Sequence, residues 1–173
     1  ESPIPDPLRI GGSLVFTQRV NGQDDLWVIG VGESVPLRLT NDPADDRDPA
    51  WSPDGTKLAF ASHRHGNWEL YIMEIDTQEI TRLTYTPGFE GAPTWSPDGA
   101  FIAYEGYNAD TNDLNIYFMS TNPARAGTAG SAGQITSAPG PDTEPAWAPD
   151  GRHLAYTTWR SGNQEIMVVN FDD

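Results

Sequence analysis

The chain has 173 residues, no cysteine, and 25 acidic against 10 basic side chains, for a formal charge of -15. That acidity repels phosphate backbones and anionic headgroups, so nucleic acid and membrane surfaces are excluded as partners, while cations or a basic protein are not. Disulfides, thiol catalysis and thiolate zinc sites are excluded as well, no apolar run nears the roughly 18 residues of a membrane span, and no stretch reads as a signal peptide.

Residues 1–12 open with ESPIPDP and read either as a Pro-rich linker or as a closing strand, because Pro7-Leu8-Arg9-Ile10 repeats Pro36-Leu37-Arg38-Leu39. From residue 13 to 173 the chain repeats one unit four times. The first unit, 13–40, holds SLVFTQ and ends on PLRLT, with no tryptophan phrase in front. In the second, 48–84, PAWS predicts an inner strand A and Ser-Pro-Asp-Gly a tight turn whose glycine takes positive φ. KLAFAS follows as strand B, HRHGNW as a polar hairpin, ELYIMEI as strand C and ITRLT as an outer strand D. The third unit, 92–136, opens on PTWSPDG and carries two extra residues in the hairpin at 105–115 and six in the Ala/Gly-rich stretch 122–133. The fourth, 144–173, opens on PAWAPDG and stops after strand C.

The spacing inside the units is constant. Trp51, Trp95 and Trp147 each precede an aromatic (Phe60, Tyr104, Tyr156) by nine residues, and each follows a threonine (Thr40, Thr84, Thr136) by 11. Four short antiparallel strands recurring every 40–50 residues predict an all-β fold, a β-propeller of four four-stranded blades. The arc is either an incomplete ring completed by a second copy of the chain or one closed by the N-terminal strand.

Asp46 to Gly55, then Ser62-His63-Arg64-His65-Gly66, Leu70-Tyr71-Ile72-Met73 and Arg82-Leu83-Thr84 resemble the PD40 repeat of TolB-like propellers, also called WD40-like, and the resemblance spans residues 13 to 173. The third unit departs from it, with Glu90 for the leading Asp and Tyr107-Asn108 near the arginine position. The resemblance implies a non-catalytic protein-interaction or sensor scaffold in the periplasm or outside the cell, with a protein partner. Its alternatives are the accessory propeller of a larger hydrolase or lyase, and a Ca²⁺-dependent carbohydrate-binding module.

Strand direction alternates, so the D-to-A and B-to-C connections share one face of a propeller. Asp46, Glu90 and Asp142 therefore share that face with Arg19, Arg64 and Arg160, and bidentate pairing is expected. The recurring Trp51, Trp95 and Trp147 read as packing. Trp68 and Trp159 do not recur, and they read either as partner anchors or as covers for a neighbouring blade. His63, Arg64, His65, Trp68, Trp159 and Arg160 are the candidate binding residues. The two histidines fall short of the three or four ligands zinc needs, since His153 lies by an opposite-face turn. Asp42, Asp45, Asp46 and Asp48 form an oxygen-rich loop that suits Ca²⁺ but lacks the EF-hand order, so it is either a calcium site or a solvated loop. No G-x-S-x-G, H-E-x-x-H or P-loop occurs, and no enzyme is expected.

Overall fold

A computed structural model of the chain describes residues 12–122 and 132–171. The expected closing strand at 7–10 lies outside the described residues. Four antiparallel sheets follow one another along the chain. The first contains β1 (Ser13–Val20), β2 (Gln23–Gly30) and β3 (Leu37–Arg38); the second contains β4 (Asp46–Trp51), β5 (Lys57–Ser62), β6 (Glu69–Glu74) and β7 (Ile80–Arg82). The third contains β8 (Glu90–Trp95), β9 (Phe101–Asn108), β10 (Asp113–Ser120) and β11 (Ala132–Gln134); the fourth contains β12 (Asp142–Trp147), β13 (His153–Thr158) and β14 (Glu165–Asn170). Each is a meander whose strands pair in sequence order.

A single sheet can hide only one face, so the sheets lean on each other. Strand β4 packs on β1 and β2, β8 on β4, β5 and β6, and β12 on β8, β9 and β10. Strand β5 is buried on both faces from Leu58 to Ser62 because it lies inside the stack. Leu26, Leu58, Phe60 and Met73 fill the space between the first two sheets, and Ala61, Leu70, Ile102 and Met119 the next. Each large side chain buried this way contributes about 1.5–3 kcal/mol. The outer faces of the end sheets stay exposed, at Leu14 (65%), Ile166 (77%) and Val168 (59%). The described residues form an open arc of four blades.

Three local devices recur. Gly55, Gly99 and Gly151 have φ of 70°, 71° and 70° at the turn between strands A and B. There Ser52 Oγ donates to Asp54 Oδ1 at 2.6 Å and accepts from Lys57 N at 2.9 Å, and Ser96 does the same with Asp98 and Phe101. Strand D is shorter than the sequence suggests because the threonine side chain takes over from the ladder: the Oγ1 of Thr40, Thr84 and Thr136 accepts from the backbone N–H of Leu26, Leu70 and Ile116. Strand A, by contrast, starts earlier, at Asp46, Glu90 and Asp142. It continues across a β-bulge where Asp48, Ala92 and Glu144 take φ of 55°, 47° and 53° just before the strand's proline. Proline brings no N–H to the ladder, and a bulge is where that loss is tolerated.

Candidate functional site

The early start of strand A brings its first residue under the B-to-C hairpin of the same sheet. One backbone bond zips hairpin to loop in three sheets: His63 N–H donates to Asp45 O, Tyr107 N–H to Phe89 O and Trp159 N–H to Pro141 O, at 3.0, 2.8 and 3.1 Å. These bonds make His63, Tyr107 and Trp159 structural equivalents, and with them Arg64, Asn108 and Arg160. Trp159 therefore does recur as a position, which its changing residue type hides in the sequence. All three rings stand exposed on one face, Tyr107 at 41% and Trp159 at 44%.

The acids beneath them are buried, Asp46 and Asp142 at 0% exposure and Glu90 at 3%. The expected acid–arginine pair forms fully in the second sheet alone. There Arg64 Nη2 donates to both Asp46 oxygens at 3.0 and 3.2 Å and its Nε donates to Ser62 Oγ at 2.9 Å. The guanidinium lies over Phe60 and Tyr71, 5.4 and 4.8 Å from the ring centres. Burial still pushes the Asp46 carboxyl above its ordinary range, against the pull of Ser62 and Arg64.

In the fourth sheet a tyrosine replaces Phe60, and its hydroxyl competes for the guanidinium. Arg160 Nη2 donates to Tyr156 Oη at 2.6 Å and Nε to Thr158 Oγ1 at 3.2 Å, while both Asp142 oxygens stay without a partner. In the first sheet Arg19 turns to Asp24, at 3.6 Å. The third sheet has no arginine here. Glu90 accepts from Thr86 Oγ1 through Oε1 and leaves Oε2 buried and unpartnered. Burial pushes its carboxyl up to about 7, helped by the neighbouring Glu69.

The remaining candidates are dispersed. Trp68 is half-buried against the core between the second and third sheets, with the Arg47 guanidinium 3.7 Å from its ring centre and His63 5.5 Å away. His65 Nδ1 meets Tyr71 Oη at 2.6 Å. Trp159 and Arg160 belong to a hairpin two sheets away from this group. The acidic loop does not converge: Asp42 Oδ1 accepts from Ala44 N, Asp45 Oδ1 from Asp24 N, Asp46 holds Arg64, and Asp48 lies by Arg47. Among the described residues no group of three or more His, Asp or Glu side chains is placed to hold a metal ion.

A second set of charge pairs escaped the sequence reading. Strand D arginines reach the acid just before the first buried apolar residue of strand C, Arg38 to Asp25 at 2.6 Å and Arg82 to Glu69 at 2.7 Å. The signal was present in the recurring R-L-T together with an acid one residue before the first buried apolar residue of strand C.

The family model described as TolB beta propeller domain, PD40, matches residues 5–120 and again 85–173. The chain belongs to the TolB β-propeller family. No curated protein sequence matches it. Among solved structures, a protein described as a TolB from Agrobacterium tumefaciens is 22% identical, with a TM-score of 0.79 over 94% of this chain and 58% of that one. TolB from Acinetobacter baumannii is 23% identical, with a TM-score of 0.78 over 94% of this chain and 39% of its own. Oligogalacturonate lyase from Vibrio parahaemolyticus is 17% identical, with a TM-score of 0.65 over 92% of this chain and 46% of the lyase. At these identities the likeness is one of fold, and the PD40 chain spans less than two thirds of each relative.

Proposed function

We propose that this PD40 chain is a non-catalytic protein-binding scaffold acting outside the cytoplasm, in the periplasm or extracellular space. Its binding face is the one that carries His63, Arg64, His65, Trp68, Trp159 and Arg160. The observation that carries the reading is the row of exposed rings at equivalent hairpin positions, His63, Tyr107 and Trp159. Aromatic side chains with a polar tip are the usual anchors of protein interfaces, and a chain of charge -15 steers toward a basic partner. Family membership supports the extracytoplasmic placement.

The test is retention of a defined partner from a periplasmic extract by the immobilised chain. Tyr107→Ser with Trp159→Ser abolishes retention while the melting temperature holds. Val35→Ser, in the C-to-D loop of the opposite face at 72% exposure, leaves retention intact. Retention that ignores the first pair, or depends on the second site, refutes the assignment of the face.

The fold likeness to oligogalacturonate lyase favours one second reading, a propeller segment of a larger hydrolase or lyase. A catalytic domain encoded in the same reading frame decides for it. We also propose that a second copy of the chain covers the apolar outer faces at Leu14, Ile166 and Val168. A monomer stable over a wide concentration range in light scattering refutes that pairing.

A further inference from the structure

The second sheet contains a template for what the third sheet lacks. Around the Arg64 guanidinium stand Asp46, Ser62, Phe60 and Tyr71. Their equivalents in the third sheet, by strand register, are Glu90, Gly106, Tyr104 and Tyr117. The two ring pairs have the same geometry: Phe60 and Tyr71 stack at 5.8 Å and 28°, Tyr104 and Tyr117 at 5.8 Å and 25°.

The equivalent of Arg64 is Asn108, and among the described residues no basic side chain reaches Glu90. In place of the guanidinium the third sheet has a cavity of about 310 Å³. It is lined by those same four residues together with Thr86 and Tyr107. That is the small end of the range for ligand pockets, roughly 300–1,000 Å³, and suits the end of one side chain. Glu90, 97% buried by its 3% exposure, lines it with one carboxylate oxygen unpartnered.

We propose that this cavity is a recognition pocket for a guanidinium group from outside the chain, an arginine side chain of a partner protein. The inference rests on the protein-binding reading and gives the partner its chemistry. A planar cation laid over the Tyr104–Tyr117 rings and bonded to Glu90 reproduces the internal Arg64 arrangement with its parts on two molecules. An ammonium fits less well, having neither the plane nor the fork. The other charged or titratable groups around Glu90 are Glu69, whose Oε1 is held by Arg82, then Tyr104 and Tyr117, with Asp110 beside Tyr117. None of them supplies a positive charge to Glu90 directly. The cation binds the ionised carboxylate, so affinity rises with pH across the range where Glu90 loses its proton.

The test uses the full chain and three probes in calorimetric or NMR titrations at pH 6 and pH 8: N-acetyl-arginine methylamide, its lysine counterpart, and a Gly-Gly-Arg-Gly-Gly peptide. The arginine probe and the peptide shift resonances of Tyr104, Gly106 and Tyr117. They bind about tenfold tighter at pH 8 than at pH 6, the change in ionised fraction for a carboxyl near 7, and several-fold tighter than the lysine probe. Glu90→Gln lowers arginine affinity at least tenfold and removes the pH dependence. Asn108→Arg, which supplies the guanidinium internally, weakens it too without touching Glu90.

Equal binding to wild type and Glu90→Gln, or no shift at those three residues at any pH, overturns the proposal. Binding of the small probe with none of the peptide overturns the protein source of the guanidinium. A pocket that stays silent while partner capture still depends on Tyr107 and Trp159 sinks this inference alone. Loss of both sinks the protein-binding reading.

Discussion

Replacing Arg64 by methionine keeps the aliphatic stem and removes the charge that faces Asp46. Asp46 is fully buried and Arg64 is 13% exposed, so the carboxylate is left with Ser62 and Thr40 and no cation. Glu90 gives the scale of the consequence, since an equivalent buried carboxyl without a guanidinium is pushed up to about 7. Breaking a buried ion pair costs roughly 3–5 kcal/mol, and without the Arg64 cation the Asp46 carboxyl moves further in the direction burial already pushes it. That range is an upper value, because burial already holds the wild-type Asp46 carboxyl above its ordinary range.

The sign follows from proton binding. A carboxyl whose folded pKa is raised binds more protons folded than unfolded. Its stabilising contribution is therefore complete below the unfolded pKa and is lost as pH rises through the folded one. Arg64→Met should thus be destabilised little at pH 4 and increasingly as the pH rises toward 8, with a limiting slope of about 1.4 kcal/mol per pH unit. Urea unfolding followed by tryptophan fluorescence at pH 4 to 8 measures it. A loss that is the same at every pH, or below about 1 kcal/mol at pH 8, refutes the assignment of Asp46 as a charge held by Arg64.

Glu90→Gln should raise the melting temperature at pH 8 and hardly change it at pH 5, because the wild-type carboxyl, pushed up to about 7, loses stability as pH climbs through that value. Calorimetry at the two pH values checks this. Trp95→Phe should cost about 1 kcal/mol or more, since Nε1 donates across sheets to Ala50 O at 3.0 Å. Trp51→Phe should cost less, its buried Nε1 having no partner to lose. Thr84→Val should cost about 1–3 kcal/mol by leaving the buried Leu70 N–H without its side-chain acceptor, and Thr84→Ser should recover most of that in the same denaturation assay.

The fold was legible because strand B and the corner before it depend on local chemistry. Gly55, Gly99 and Gly151 mark a backbone angle other residues avoid, and the nine-residue step from Trp51 to Phe60 is one strand pair measured along the chain. The ends of strands A and D were not legible, for opposite reasons. Strand A extends back over a bulge whose positive φ falls on Asp48, Ala92 and Glu144, three unlike residue types that share only the proline after them. Strand D stops early because Thr40, Thr84 and Thr136 satisfy strand C through side chains, a bond that looks in sequence like one more β-branched strand residue.

The binding face shows a deeper limit of reading a repeat. Recurrence of a residue type points to packing and its absence to a specific role, yet residue type and position separate here. Trp159 looks unique and occupies the slot of His63 and Tyr107. Glu90 looks like one more copy of Asp46, yet among the described residues no counter-charge meets it. Burying a carboxylate is tolerated when a guanidinium meets it, so an acid retained where its arginine is gone is the position to examine in such a repeat. The third sheet keeps the acid, the stacked rings and an opening of about 310 Å³ where the second sheet holds its own Arg64. A partner arginine would restore there the pairing that the second sheet makes within one chain, which ties the acidity of the molecule to a particular site on its surface.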